Sequence, residues 1–257
     1  MDFKNMSVKA VKEMVEMSSM DDYARLMSSL EKDTRQGVRS IVKSMRKRIE
    51  KNNLEDLRIQ ELKYIEENLH ANGFKLIAGM DEVGRGPLAG PVVSCAIMLP
   101  IESKIRFVND SKKLSAEKRE DLSRVLIESA ISVGLGIIDN NEIDHYNILN
   151  STKKSMVQAL EDLAEKPDII LVDAVHLERV SIPQKSFIKG DERCYAIAAA
   201  SIVAKVKRDA MMDEYHELYP EYNFKTNKGY GTKEHVDAIR KYGLSPVHRK
   251  SFCGNFI

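Results

Sequence analysis

The segment Leu76-Ile77-Ala78-Gly79-Met80-Asp81-Glu82-Val83-Gly84-Arg85-Gly86-Pro87 sets adjacent carboxylates where an apolar run stops and a glycine-flanked arginine begins. Ionised acids at the end of a buried strand repel each other and lose hydration, which a chain tolerates when a hard divalent cation compensates them. The glycines that follow let backbone come close to a ligand. Taken alone, the Asp-Glu pair fits a solvent-facing strand-to-turn junction equally well. A second run, Ile169-Ile170-Leu171-Val172-Asp173, is also apolar and ends in an acid. Its unbroken apolar character predicts a strand covered by helices on both faces, as in the parallel part of an α/β sheet.

The 257 residues leave room for one substantial domain plus an appendage, and a hydrophobic share of 43% suits a packed core. With a formal net charge of +1, any binding of a polyanion must rest on local clusters of Lys and Arg. Cys95, Cys194 and Cys253 are odd in number and lack CxxC spacing, which argues against disulfides and zinc and fits a reducing cytosol. The N-terminus shows no basic start before an apolar core, and no stretch approaches the roughly 20 apolar residues that span a bilayer. A soluble, cytoplasmic protein without membrane partners is expected.

From residues 7 to 70 Gly and Pro are nearly absent, and Val38, Ile41, Val42, Met45 and Ile49 recur at helical spacing. Arg35, Arg39, Lys43 and Lys47, joined by Arg46, Arg48 and Lys51, give this helical segment a positive stripe, either a solvated face or a grip on nucleic-acid phosphate. Texture changes after Ala71-Asn72-Gly73, so residues 1–72 are read as a helical extension and 73–257 as an α/β domain. The pattern predicts strands over 76–83, 91–99, 131–138, 168–173 and 186–188. It predicts helices over 115–129, 151–165, 194–218 and 232–242.

The acids ending two strands converge if those strands are neighbours, and Lys189-Gly190-Asp191 adds a third beside a helix start. Acids with neither Cys nor His at ligand spacing favour Mg²⁺ or Mn²⁺, and two-metal phosphodiester hydrolysis is the chemistry they suit. Taken singly, Asp173 also fits a strand-end cap and Asp191 a helix N-cap. Around them lie clusters suited to a phosphate backbone. Asn109-Asp110-Ser111-Lys112-Lys113-Leu114-Ser115 stands next to a helix start, Asn227-Lys228-Gly229-Tyr230-Gly231-Thr232 holds an aromatic between glycines, and His248-Arg249-Lys250 adds charge.

These motifs together resemble a bacterial type 2 ribonuclease H, ribonuclease HII, over about residues 76–252. The most specific are the stretch from Gly79 to Pro91, Asp110-Ser111-Lys112-Lys113-Leu114 and Leu171-Val172-Asp173-Ala174. Ile188-Lys189-Gly190-Asp191, the Ala-rich run from Ala198 to Val206, Gly229-Tyr230-Gly231-Thr232 and His248-Arg249-Lys250-Ser251-Phe252 follow in order. The resemblance implies a ribonuclease H-like mixed sheet flanked by helices, acting as a monomer on RNA/DNA hybrids and on duplex DNA containing ribonucleotides. It implies Mg²⁺ or Mn²⁺ held by Asp81, Glu82, Asp173 and Asp191, and products ending in a 3′ hydroxyl and a 5′ phosphate. Gly84, Arg85 and Gly86 would read the 2′ hydroxyl with Tyr230 on the adjoining sugar, so that a single ribonucleotide is nicked on its 5′ side. Ser111, Lys112, Lys113, His248 and Arg249 would contact the substrate. Residues 1–72, 175–185 and 253–257 lie outside the matching motifs. The competing readings are a type 3 ribonuclease H and a non-catalytic nucleic-acid module whose acids are structural.

Overall fold

The structure, a computed structural model, describes residue 3 and residues 5–256. It divides into two compact units, residues 1–58 and 59–257. In the first unit, α1 (Val8–Met17), α2 (Met20–Leu30) and the start of α3 (Gln36–Leu62) pack through Val11, Val15, Tyr23, Leu30, Val38, Val42 and Met45. Ser7 caps α1, its hydroxyl accepting the Ala10 amide at 3.1 Å. The Arg35 guanidinium donates to Asp33 and to the carbonyls of Met6 and Phe3, so it closes the turn before α3 and does not belong to a free basic stripe.

The division precedes the textural change at Gly73. Ile59 and Leu62 at the end of α3, and Leu69 of α4 (Tyr64–Ala71), belong to the clusters that cover the sheet of the second unit. That sheet contains β1 (Ile77–Val83), β2 (Val92–Met98), β3 (Ser132–Ile138), β4 (Ile169–Asp173) and β5 (Gln184–Phe187) in the order β3-β2-β1-β4-β5. The first three form an antiparallel meander, while β4 runs parallel to both β1 and β5. Between the strands come α5 (Ala116–Ser129) and α6 (Asn140–Glu161). After them follow α7 (Tyr195–Leu218), α8 (Phe224–Asn227), α9 (Lys233–Tyr242) and α10 (Lys250–Cys253).

Alternation along β1 sorts its residues between two faces. Ala78 and Met80 meet Met156 and Ala159 of α6, whereas Ile77 meets the Cys194-Ala196-Ile197 start of α7. Gly79 and Asp81 share the α7 face by parity. Gly79 is what brings α7 close: a Cβ there would stand 2.1 Å from the Ala196 carbonyl carbon. The same device seats α6, because a Cβ on Gly136 would lie 1.7 Å from the Ser155 carbonyl oxygen.

Two boundaries depart from the sequence expectation. Helix α6 begins at Asn140 and not at Ser151, capped by the Asp139 carboxylate on the Glu142 amide at 2.9 Å and interrupted at Asn147, with φ 66° and ψ 165°. The polar run after Asp139 hid a helix whose buried side is carried by Asn140 and Ile143. Strand β5 lies earlier, at Gln184–Phe187, and leaves Ile188 exposed. Its Gln-Lys-Ser-Phe sequence is that of an edge strand, where charge discourages pairing with another chain. The Gly79→Ala variant should lose at least about 2 kcal/mol in urea unfolding, because backbone cannot yield as a flexible side chain would.

Candidate active site

The parallel pairing of β1 with β4 sets Met80 opposite Val172, so Asp81 and Asp173 leave the sheet side by side at the carboxyl ends of adjacent strands. Asp81 is 6% exposed, and its Oδ1 accepts the Glu82 amide at 2.8 Å. Burial, then the neighbouring Glu82 carboxylate, pushes its pKa well above the usual carboxylate range, with Asp173 adding to the effect and a hydrogen bond from Ser201 of α7 opposing it. Asp173 accepts the Gly190 amide at 2.7 Å, which ties the turn carrying Asp191 to the end of β4. Asp191 is itself buried, and burial, with Asp110 and Asp173 nearby, raises its pKa against the opposing effect of Lys112. The four acids expected from sequence therefore share one electrostatic neighbourhood.

Two cations touch this group. Lys112 Nζ lies 3.6 Å from Asp191 and 3.9 Å from Asp110, and Arg85 holds Glu82 Oε1 at 3.1 Å. The other oxygen of Glu82, Oε2, is buried without a hydrogen-bond partner. An orphaned carboxylate oxygen beside repelling acids is the donor set that a hard cation satisfies. Among the described residues, no three His, Cys, Asp or Glu side chains already stand in ligating geometry. The acids are gathered, with Lys112 and Arg85 holding part of their charge.

The neighbouring clusters divide into accessible and buried members. Arg85, Gly86, Lys112 and Lys113 are exposed, as is Tyr230 at 45%. A Cβ built on Gly86 meets only the Tyr230 ring within 4 Å, at 3.7 Å, so the two form an open shelf. Lys113 pairs with Glu192 at 2.8 Å. Ser111, by contrast, is buried against Ser201, hydroxyl to hydroxyl at 3.0 Å, and supports Asp81 from behind.

His248 and Arg249, expected to touch the substrate, are 1% and 0% exposed and cannot reach it. Cys253 packs under Leu88 and Ala89, and the Ala89–His248 bridge draws the C-terminal segment beneath the loop of residues 84–91. His248 Nε2 meets His235 Nε2 at 3.0 Å, His235 Nδ1 meets the Tyr230 carbonyl at 2.8 Å, and His248 Nδ1 meets the Ser245 amide at 2.9 Å. A carbonyl only accepts and an amide only donates, so one pair of neutral tautomers satisfies all three contacts: His235 protonated at Nδ1 and His248 at Nε2.

Sequence reasoning also passed over Arg208, fully buried in α7. It donates to the carbonyls of Pro91, Lys228 and Ala89. Its signal is a lone arginine among residues whose spacing faces the core, and Ser201 carries the same signal two turns earlier on that face.

The family model for ribonuclease HII matches residues 78–255, and that for the ribonuclease HII N-terminal domain matches residues 7–70. The chain belongs to the ribonuclease HII family. A ribonuclease HII of Enterococcus faecalis is 48% identical over 247 residues, covering 96% of each chain. One of Clostridioides difficile is 44% identical over 251 residues and 98% of each. Among solved structures, ribonuclease H2 from Pyrococcus horikoshii superposes with a TM-score of 0.60 at 27% identity, over 68% of this chain and 93% of that one. The fold is thus ribonuclease H-like with an N-terminal helical region, and the protein is an endoribonuclease of the ribonuclease H class acting on RNA/DNA hybrids. No described helix is long and apolar enough to cross a membrane.

The histidine pair gives a pH test. Burial, and then His235, push His248 down to about 4 from an ordinary 6.5, so between these values the unfolded chain binds more protons than the folded one. The stability carried by the neutral pair is complete above 6.5 and is lost as pH falls toward 4. Melting temperatures measured from pH 7 to pH 4 should fall less steeply in His248→Gln than in the unaltered chain; parallel curves would rule the pair out as the titrating element.

Proposed function

We propose that the chain nicks duplex DNA on the 5′ side of a single embedded ribonucleotide, as well as cutting the RNA strand of longer hybrids. The observation that carries this reading is the adjacency of the four-acid cluster to the exposed shelf of Arg85, Gly86 and Tyr230. Asp81, Glu82, Asp173 and Asp191 would hold divalent cations, Mg²⁺ or Mn²⁺. When bound, such ions supply Lewis acidity toward the phosphodiester and lower the pKa of attacking water. Water oxygen bonds to phosphorus, the bond to the 3′ oxygen breaks, and that oxygen takes a proton, leaving a 3′ hydroxyl and a 5′ phosphate.

The protein's own groups do the positioning. Main-chain amides at Arg85 and Gly86 suit the 2′ hydroxyl, the one group that marks RNA at a single nucleotide. The Tyr230 ring, beside Gly86, suits stacking on the next sugar, which at a junction lacks that hydroxyl. Lys112 and Lys113 reach from the 3₁₀ turn Ser111–Lys113 and can exchange their carboxylate partners for phosphate once the acids are neutralised. Such an incision would serve ribonucleotide excision repair in the cytoplasm. A type 3 enzyme, which needs longer RNA tracts, is disfavoured by the shelf itself.

In the N-terminal unit, Arg46 and Arg48 are held by Glu31 and Tyr23. Arg39, Lys43 and Lys47 are exposed, with no ion pair among the described residues. These three would add phosphate contacts.

A labelled duplex with one ribonucleotide should be nicked at its 5′ side with Mg²⁺ and left intact in EDTA. Asp81→Asn should lower nicking at least about a hundredfold with duplex binding retained; full activity would remove Asp81 from the site. Melting supplies a readout without turnover. Mg²⁺ or Mn²⁺ should raise the melting temperature of the unaltered chain but not of Asp81→Asn, which should melt higher than the unaltered chain in EDTA because a buried charge is gone. Tyr230→Ala should depress single-ribonucleotide cleavage more than cleavage of long hybrids. Deleting residues 1–58 should weaken duplex binding and flatten its salt dependence, whereas an unchanged slope would mark the basic face as merely solvated.

A further inference from the structure

Arg249, fully enclosed near the shelf, lies over the Phe252 ring at 5.2 Å to its centroid, and all its hydrogen bonds are to carbonyls. Its Nε donates to Gly90 at 2.9 Å, one terminal nitrogen to Arg85 at 3.1 Å, and the other to Gly84 at 2.6 Å and Pro91 at 3.1 Å. Among the described residues no carboxylate pairs with it within 4 Å. A buried guanidinium with only neutral partners is costly to keep, which directs attention to what its fork holds in place.

It holds two consecutive peptide planes. Among the described residues there is no cis peptide bond, and in a trans peptide the N–H points opposite to the C=O. Because the Gly84 and Arg85 carbonyls face inward to Arg249, the amide hydrogens of Arg85 and Gly86 face away from it. Neither donates to a protein acceptor among the described residues. Both residues are exposed, and the space beside Gly86 is open except for the Tyr230 ring. Gly84, at φ 97°, makes the turn that allows the first plane this orientation, and a Cβ there would meet Arg208 Nε at 2.3 Å.

We propose that Arg249 is a specificity-determining positioning residue: its planar fork fixes the two peptide units so that the Arg85 and Gly86 amides stand outward together as a paired donor for a ribose 2′ oxygen. This rests on the reading of residues 84–86 as the 2′-hydroxyl contact. Arg249 acts without touching substrate, through main-chain geometry alone. Arg208 is the natural comparison, for it braces the same loop at Ala89 and Pro91 but leaves the Gly84 and Arg85 carbonyls alone.

The test compares equilibrium binding, in EDTA, of a duplex carrying one ribonucleotide with an all-deoxy duplex of the same sequence, with melting curves recorded in parallel. Arg249→Lys keeps the charge and loses the fork. It should reduce the ribonucleotide preference about tenfold, the worth of one hydrogen bond at the upper end of its range, while all-deoxy affinity stays within about twofold. Arg208→Lys should lower the melting temperature and keep the preference. An unchanged preference in Arg249→Lys, or equal losses on both duplexes, overturns the proposal. If the unaltered chain shows no preference, the reading of residues 84–86 fails first and the role of Arg249 with it. Amide hydrogen exchange on the unaltered chain covers the case of an unfolded variant. Arg85 and Gly86 should exchange fast when free and be protected by the ribonucleotide duplex alone, and protection in the free protein would show that these amides point inward.

Discussion

The parallel pairing of β1 with β4 is the constraint from which the site follows. The pairing of two strands far apart in sequence stops at one level, with Met80 facing Val172, and the next residue of each is an aspartate. Register decides this: a slip by one residue would turn Asp81 away from Ser201 and α7 and toward the α6 face, where Met156 and Ala159 pack. The close seating of α7 on Gly79 then limits solvent around the acids and brings the 3₁₀ turn with Asp191 onto Asp173. The placement of the acids and core packing here are the same set of contacts.

Those contacts gather carboxylates that repel. Burial and mutual repulsion raise Asp81, Glu82 and Asp191 above their ordinary range, and Arg85 and Lys112 offset part of the cost. The rest is carried by the scaffold: β2, β4 and the start of α7 back the acids with fully buried side chains such as Ile97, Leu171 and Ala199. A fold with a thinner core would give way at this point, since stored repulsion and low local solvation act together.

What could be read in the sequence follows from how local each signal is. The β1 and β4 runs and their terminal acids were legible because apolar continuity and an abrupt charge are properties of a few adjacent residues. The start of α6 was not, because Asn140-Asn141-Glu142 looks like a loop until the Asp139 cap is recognised. Ser111, His248 and Arg249 were placed with the substrate because polar residues in glycine-flanked segments are usually exposed. Their burial depends on the C-terminal segment folding under the loop of residues 84–91 and on Ser111 meeting α7, contacts between residues 90 or more apart in sequence. No window of sequence contains such a contact. The basic stripe of α3 was half legible: Arg46 and Arg48 are held by Glu31 and Tyr23, while Arg39 and Lys43 have no ion pair among the described residues.

The shelf presents main-chain groups, and this changes where the protein is vulnerable. Every amino acid except proline supplies the same amide hydrogen, so the identity of residue 85 is a weak determinant of whether that hydrogen is there. Mutational sensitivity therefore migrates away from the exposed amides themselves. It settles on glycines that have no room for a side chain, and on enclosed cations whose nearest atoms are other parts of the backbone. A saturation map of this chain would show a tolerant exposed shelf over an intolerant foundation, the reverse of a surface built from side chains.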